Sequence, residues 1–483
     1  HRVSQAKKFG FSTIAQFGVP KIEYATSGWS VVQPACILDP QVRNKYSRLL
    51  GDFLDTFPGV DNVFLYTFDQ DAWVCSEFGP CPRCSGIPLD ERLGGFLDLM
   101  NGVMQKHHPG SSLWWKPWEL SNGQVIQILR RVEAKHFGLI LNSSYGNEAY
   151  VFNDRSFASD LGIKRTVQLA ERRGIPVIGE FDYTFYKGYY PINDYCPRFV
   201  YENLQGWKQM SGVVGVKEYF GLAPSDFSVN AAMLKACIDA PEASLNELLK
   251  TIAAPYGKKA APYMLEAWEN IAQGIEALPW DVSYAVWNVT HNAGAGGAMT
   301  TGDGFHNWEP VTIPSICTNT PGWKTYRLSN FMLTDEARAD PWLFETTGLQ
   351  LDDGAILLSE AVSAFDKAIA AGSSRSDDVR MQRKSISSLA VTVRARSLHF
   401  METLAAHDAR LVGGDPKQQA IVLKRLEALL VKDLQNQESA PAMAQKLDEF
   451  RKDPKKWLGV NLNPNVLQVN TSIDWNKFVP SPR

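Results

Sequence analysis

The chain is short of several features, and each shortage removes a class of function. It has no apolar run long enough to cross a bilayer, which argues against a membrane partner. It has no excess of one charge: 49 Lys and Arg stand against 52 Asp and Glu, for a net charge of −3, so nothing suggests a nucleic-acid partner. Histidine is scarce, with 8 in all. None sits in an H-E-x-x-H or comparable metal-hydrolase spacing, and His107-His108 reads as the solvated end of a helix. No repeat of fixed period occurs. The first residues, "HRVSQAKKFG", lack the apolar core of a signal peptide. Oligomeric state and compartment are not legible, with a secreted or periplasmic setting favoured.

What remains is a chain of 483 residues, more than one compact core usually holds. Its 45% hydrophobic content is ordinary for a globular protein. Aromatic residues make up 11%, many of them after apparent strands. Such rings fill cores, and they also stack on the C–H faces of sugars. The doublet Trp114-Trp115, with Trp118 nearby, is the place where stacking is most plausible.

The first half alternates apolar runs with amphipathic segments. Strands are expected at 11–17, 62–68, 112–118, 137–142, 175–181 and 213–219, and helices at 40–56, 88–107, 122–135, 159–173 and 198–210. Alternation of this kind means parallel strands joined by helical crossovers. The expected fold is therefore an α/β, (β/α)8-type barrel over 1–222. An eight-stranded barrel needs two strands more than are visible, so the expectation includes a barrel whose first strands are missing or lie on another segment. An open six-stranded sheet is the alternative. A helical and loop-rich extension is expected at 223–345, with "HNAGAGGAMTTGDGFHNWEP" at its centre, and an α-helical C-terminal domain at 346–483.

The chemistry gathers where strands end. The second strand runs into Asp69 and Asp71, the third into Glu119, the fifth contains Glu180 and runs into Asp182, and the sixth contains Lys217 and Glu218. In parallel barrels catalytic groups collect at the carboxyl ends of the strands, and a carboxylate there is costly to bury unless it is paired or used. Helix capping accounts for Asp39 or Asp90, but poorly for Glu180 and Glu218, which lie within apolar sequence. Residues two apart on a strand share a face, so Asp69 can join Asp71, and Glu180 can join Asp182. Clustered carboxylates with aromatic platforms suit glycosidic cleavage, in which one acid protonates the leaving oxygen and another attacks, activates water or steadies the oxocarbenium-like state. The candidate catalytic set is Asp69, Asp71, Glu119, Glu180 and Glu218, with Glu218 also a candidate ion-pair partner for a barrel lysine. Candidate substrate contacts are Trp115, Lys116, Trp118, Asn142, Asp182, Tyr183, Lys217 and Tyr219, with Tyr186 lining the cleft. Trp308, with His306 and Glu309, is a candidate lid. No organic cofactor is required.

The 7 cysteines give a second signal. Cys75, Cys81 and Cys84 cluster, with one C-x-x-C among them, and Cys36 or Cys196 could supply a further ligand. A structural zinc site is one reading, and a loop disulfide or free thiols the other. Cys237 lies in a helical apolar pattern and is expected to be buried and inert.

Over about residues 10–225 the chain resembles barrel glycoside hydrolases related to β-N-acetylhexosaminidases and α-glucuronidases. The resemblance is carried by "LYTFDQDAWVCSEFGPCPRCSG", which is similar to their fourth-strand region, and by "GVVGVKEYFG", similar to their last strand. It implies a barrel with a helical appendage that acts on an oligo- or polysaccharide. The chain departs from the hexosaminidases in having Asp69-x-Asp71 where they carry an Asp-Glu pair. For a uronide the resemblance implies a cation on the substrate carboxylate, with Lys116 and Lys217 as candidates. A carbohydrate-binding protein with the same cleft and no chemistry is the rival reading.

Overall fold

The computed structural model describes residues 1–18, 36–67, 77, 81–117, 120, 122–142, 161–181, 195–218, 228–278 and 341–411, with scattered positions from 417 to 453. After a short helix α1 (Arg2–Lys8), six strands follow: β1 (Ile14–Gly18), β2 (Asn62–Thr67), β3 (Leu113–Pro117), β4 (Phe137–Asn142), β5 (Val177–Phe181) and β6 (Val213–Glu218). Between them run α2 (Pro40–Thr56), α3 (Leu89–His107), α4 (Asn122–Arg131), α5 (Leu161–Arg172) and α6 (Pro197–Lys208). These are the strands and helices the periodicity predicts, with β1 starting later and α4 stopping earlier.

All six strands are parallel, and their order in the sheet is their order in the chain. That order has a geometric consequence. Crossovers between parallel strands are right-handed, so a sheet that always advances in one direction places every crossover helix on the same face. The burial pattern agrees. Val63, Leu65, Leu113, Trp115, Phe137, Leu139, Leu141 and Val177, which take alternate positions along their strands, share one core with helix residues such as Leu50, Phe96, Leu129 and Val167. Helix α2 also touches α3, α3 touches α4, and α4 touches α5. The intervening strand residues, Phe64, Tyr66, Trp114, Lys116, Gly138, Ile140, Glu180 and Lys217, belong to the other face. A sheet wound in this way curls around its helix-free face, which becomes the inside of a barrel.

Local chemistry fixes the helix starts. Asp39 caps α2 by accepting the Gln41 N–H at 2.8 Å, and Pro40 takes the first helical position, where its missing N–H costs nothing. Arg92 is buried at the start of α3, its Nε donating to the Ile87 carbonyl at 2.8 Å.

The described part of the second half is helical: α7 (Val229–Asp239), α8 (Leu245–Ala253) with a capping box between Ser244 and Glu247, α9 (Ala261–Glu276), α10 (Pro341–Ala370) and α11 (Ser376–Leu411). One hydrophobic core joins helices on both sides of the expected 345/346 boundary, from Met233 and Trp268 to Leu358, Phe365 and Val393. Helix α6 is the seam between the two bodies: its Phe199 and Val200 join the helical core, and its Trp207 joins the barrel core. Arg198, buried on the same helix, reaches Glu276 at 2.8 Å and Glu269 at 3.4 Å on α9. No described helix is long and apolar enough to cross a membrane.

Candidate active site

The inner face of the sheet carries a charged layer. Glu180 on β5 is completely buried and forms ion pairs with two lysines, Lys116 through Oε1 and Lys217 through Oε2. Lys116 is almost as deeply buried, while Lys217 keeps 28% of its side-chain surface exposed. The register accounts for the Lys217 pair, because Glu180 stands directly beside Lys217 on β6. The Lys116 pair needs curvature, since β3 and β5 are separated by β4.

Two cation–ring contacts show how far the sheet curls. The Lys116 Nζ lies 5.0 Å from the centre of the Tyr66 ring, and the Lys217 Nζ lies 5.7 Å from that of Phe64. Phe64 is on β2 and Lys217 on β6, four strands apart, which in a flat sheet is about 19 Å, well beyond a lysine's reach. The two meet because the sheet bends the strands around a shared interior. Two ammonium groups, a carboxylate and two aromatic rings thus converge inside the barrel.

Below this layer lies Trp114, two residues toward the amino end of β3 from Lys116. Its ring covers Gly138 of β4 so closely that a Cβ there would lie 2.4 Å from a Trp114 ring carbon. Its indole N–H has no acceptor among the described residues. On the helix side Gly179 has the same relation to Trp207, where a Cβ would lie 2.3 Å from the indole. Each glycine is a seat for a tryptophan, one ring flooring the barrel and the other pinning α6 to the outside of the sheet.

The expected role of Trp115 is corrected here. Trp115 is fully buried among the residues between sheet and helices, with its Nε1 donating to Thr67 Oγ1 at 3.0 Å, so no sugar can stack on it. Strand alternation is the reason: a residue adjacent to the inward Lys116 must face outward. Trp114, the other member of the doublet, is the inward ring, and the same alternation is the signal that chooses it.

Of the other candidates, Glu180, Lys116 and Lys217 come together. Asn142 pairs through its backbone with Glu180, and Glu218 with Phe181; their side chains lie outside the described residues. Asp69, Asp71, Cys75, Trp118, Glu119, Asp182, Tyr183, Tyr186, Tyr219, His306, Trp308 and Glu309 also lie outside the described residues.

The cysteine cluster takes its described members from two segments. Cys36 joins Cys81 and Cys84, with the three sulfurs all within 4.8 Å of one another. Cys196, the other proposed contributor, is buried in the helical core instead. The Cys84 thiol is pushed up to about 12, first by burial and then by the adjacent Cys36 and Cys81. Cys237 is buried as expected, and burial alone raises its thiol to about 11.

No family model matches the chain, and no curated protein matches it. Among solved structures it is similar to a GH138 enzyme targeting pectin rhamnogalacturonan II, with a TM-score of 0.57 and 11% identity. The match covers 91% of this chain and 51% of that one, so the chain spans about half the length of that enzyme. At this identity the likeness is one of fold alone.

Proposed function

We propose that the protein is a glycoside hydrolase that cleaves an oligo- or polysaccharide by carboxylate acid/base chemistry inside the barrel. The observation that carries this reading is the Lys116–Glu180–Lys217 cluster on the inner face of the parallel strands. Burying a carboxylate and two ammonium groups is expensive, and apolar residues of similar size would stabilise the barrel as well or better. A barrel that keeps these charges at the carboxyl ends of its strands keeps them for use. The fold likeness to a GH138 enzyme points the same way.

Within this reading Glu180 is a fixed negative charge. Two ammonium groups hold both of its oxygens, so it serves to orient the lysines, which carry the cluster's net positive charge. The proton donor and its partner then come from Asp69, Asp71, Glu119, Asp182 and Glu218, which the sequence places at the same strand ends. Lys116 and Lys217 have a defined partner in Glu180, whether or not the substrate is a uronide of the kind that the α-glucuronidase resemblance implies. Neutral and uronic glycans therefore both belong in the test.

That test is a panel of chromogenic glycosides and plant and microbial polysaccharides, with products sized by mass spectrometry. Replacing Glu180, Asp69, Glu119 or Glu218 by the amide should cut turnover by about 10²–10³ for any group that stabilises charge in the transition state, while sugar binding persists. Full activity in every amide variant would remove the site assignment. Binding without turnover by the unaltered chain would favour the carbohydrate-binding alternative.

A further inference from the structure

The cysteine cluster takes no part in the proposed chemistry, and its geometry is specific. Cys36 lies just ahead of the α2 cap. Cys81 and Cys84 lie in a tight turn ahead of α3. The Cys36 and Cys84 sulfurs are 3.4 Å apart, and those of Cys81 and Cys36 are 3.7 Å apart. Four thiolates around zinc, each at about 2.3 Å in a tetrahedron, sit about 3.8 Å from one another. A disulfide instead needs about 2.05 Å between two sulfurs, and it would leave the third thiol beside it with no role.

The backbone around the sulfurs is built to present them together. The N–H groups of Cys84 and Ser85 both donate to the Cys81 carbonyl, at 3.2 and 2.9 Å, and Ile87 N–H donates to the Cys84 carbonyl at 3.1 Å. Gly86 adopts a left-handed φ of 75° and donates to the Glu77 carbonyl at 2.8 Å, which closes the turn. The Glu77 carboxylate in turn accepts the Leu89 N–H at 3.1 Å at the head of α3. A second tie, Arg83 to Asp39 at 3.3 Å, joins the same two segments beside the sulfurs. The donor set is all sulfur: among the described residues no histidine or carboxylate completes the group. Soft thiolates of this kind select zinc over calcium or magnesium.

We propose that Cys36, Cys81 and Cys84 are three ligands of a structural zinc ion that clamps the β1–α2 connection to the β2–α3 connection. On binding, each thiol releases its proton to solvent and the sulfur keeps the bonding pair, so three protons leave per ion and no electron is transferred. The clamp sits at the carboxyl side of β1 and β2, on the connection that carries Asp69 and Asp71. The three thiolates fill three of zinc's four tetrahedral positions. The proposal does not depend on the glycosidase reading.

The test uses the full chain, expressed with added zinc and purified without chelator. Elemental mass spectrometry should find one zinc per chain, falling about tenfold or more in Cys36→Ser and in Cys81→Ser. A mercurial that blocks thiols should release the metal to a chromogenic chelator. Chelation should lower Tm by several degrees in the unaltered chain and leave Cys36→Ser unmoved. Cys36 and Cys81 are only partly buried, so their serine variants keep the test open even if Cys84→Ser, at a fully buried site, does not fold. Fewer than about one zinc per ten chains, equal zinc in the serine variants, or a disulfide between Cys36 and Cys84 on peptide mapping would each overturn the proposal.

Discussion

Compare the polar side chains buried inside the barrel with those buried in the helical body. In the helical body, Trp268 Nε1 donates to Gln382 Oε1 at 2.9 Å, and Gln382 Nε2 donates to Tyr256 Oη at 2.9 Å and to Asp378 Oδ1 at 3.2 Å. Tyr256 Oη completes the circuit by donating to Asp378 Oδ2 at 2.5 Å. The four residues tie the turn after α8, helix α9 and the first two turns of α11 into one block. The circuit closes on itself, as a network must if it is to rigidify without cost. The barrel cluster is different. It carries three formal charges, it draws on β3, β5 and β6, and Lys217 retains solvent exposure. One arrangement spends its hydrogen bonds on holding helices together. The other holds charge near the carboxyl end of the sheet, with Lys217 alone of the three reaching solvent to any extent.

The difference can be broken experimentally. The largest effect should come from Glu180→Ala, which leaves two ammonium groups without their buried counter-charge. Loss of one partner of a buried ion pair costs about 3–5 kcal/mol, measurable by urea unfolding. Replacing all three charges at once, as Lys116→Met with Glu180→Leu and Lys217→Met, should cost far less or even stabilise, yet abolish turnover. If the triple variant is instead as unstable as Glu180→Ala, the cluster is structural.

Next comes the floor of the barrel. Gly138→Ala drives a methyl group into the Trp114 ring and should cost about 1–3 kcal/mol by overpacking. Its effect on turnover should exceed that of Gly179→Ala, which crowds Trp207 on the far side of the sheet. Comparable turnover in the two variants would remove Trp114 from the site. In the helical circuit, Gln382→Leu leaves the Trp268 indole N–H without its acceptor and removes a donor from Tyr256 and Asp378, and should cost about 1–3 kcal/mol, with kcat unchanged. A fall in kcat after correction for the folded fraction would show that the two regions are coupled.

The smallest effect is a pH dependence. Burial raises the Asp378 carboxyl above its ordinary value of 3.8, against the opposing pull of its bonds to Tyr256 and Gln382. The folded chain therefore holds this proton more tightly than the unfolded one. Stability falls as pH rises from the ordinary value through the raised one, and the loss is complete above it. Asp378→Asn should flatten that part of a Tm-against-pH curve. An unchanged slope would contradict the burial effect.

Much of this was legible in the sequence. The strands and helices of the barrel follow directly from hydrophobic periodicity, and strand–helix alternation gave the parallel order. The candidate site was legible in part. Glu180, Lys116 and Lys217 stood out as charges within apolar strands. Their mutual pairing did not, because it depends on curvature that brings β3 to β5 and β6. The lysine pairing considered for Glu218 is seen at Glu180, since the register sets Lys217 beside Glu180. Trp115 was misjudged by composition where alternation would have chosen Trp114. Cys36 stood with Cys196 as a partner for the cysteine loop, and only the placement of the α2 entry beside the α3 entry separates them.

The most direct measurement is turnover by Glu180→Gln on whichever glycan of the panel the unaltered chain hydrolyses, with folding checked by urea unfolding. The account predicts a folded protein slowed by about 10²–10³. A folded variant that releases the same products at the undiminished rate would contradict it.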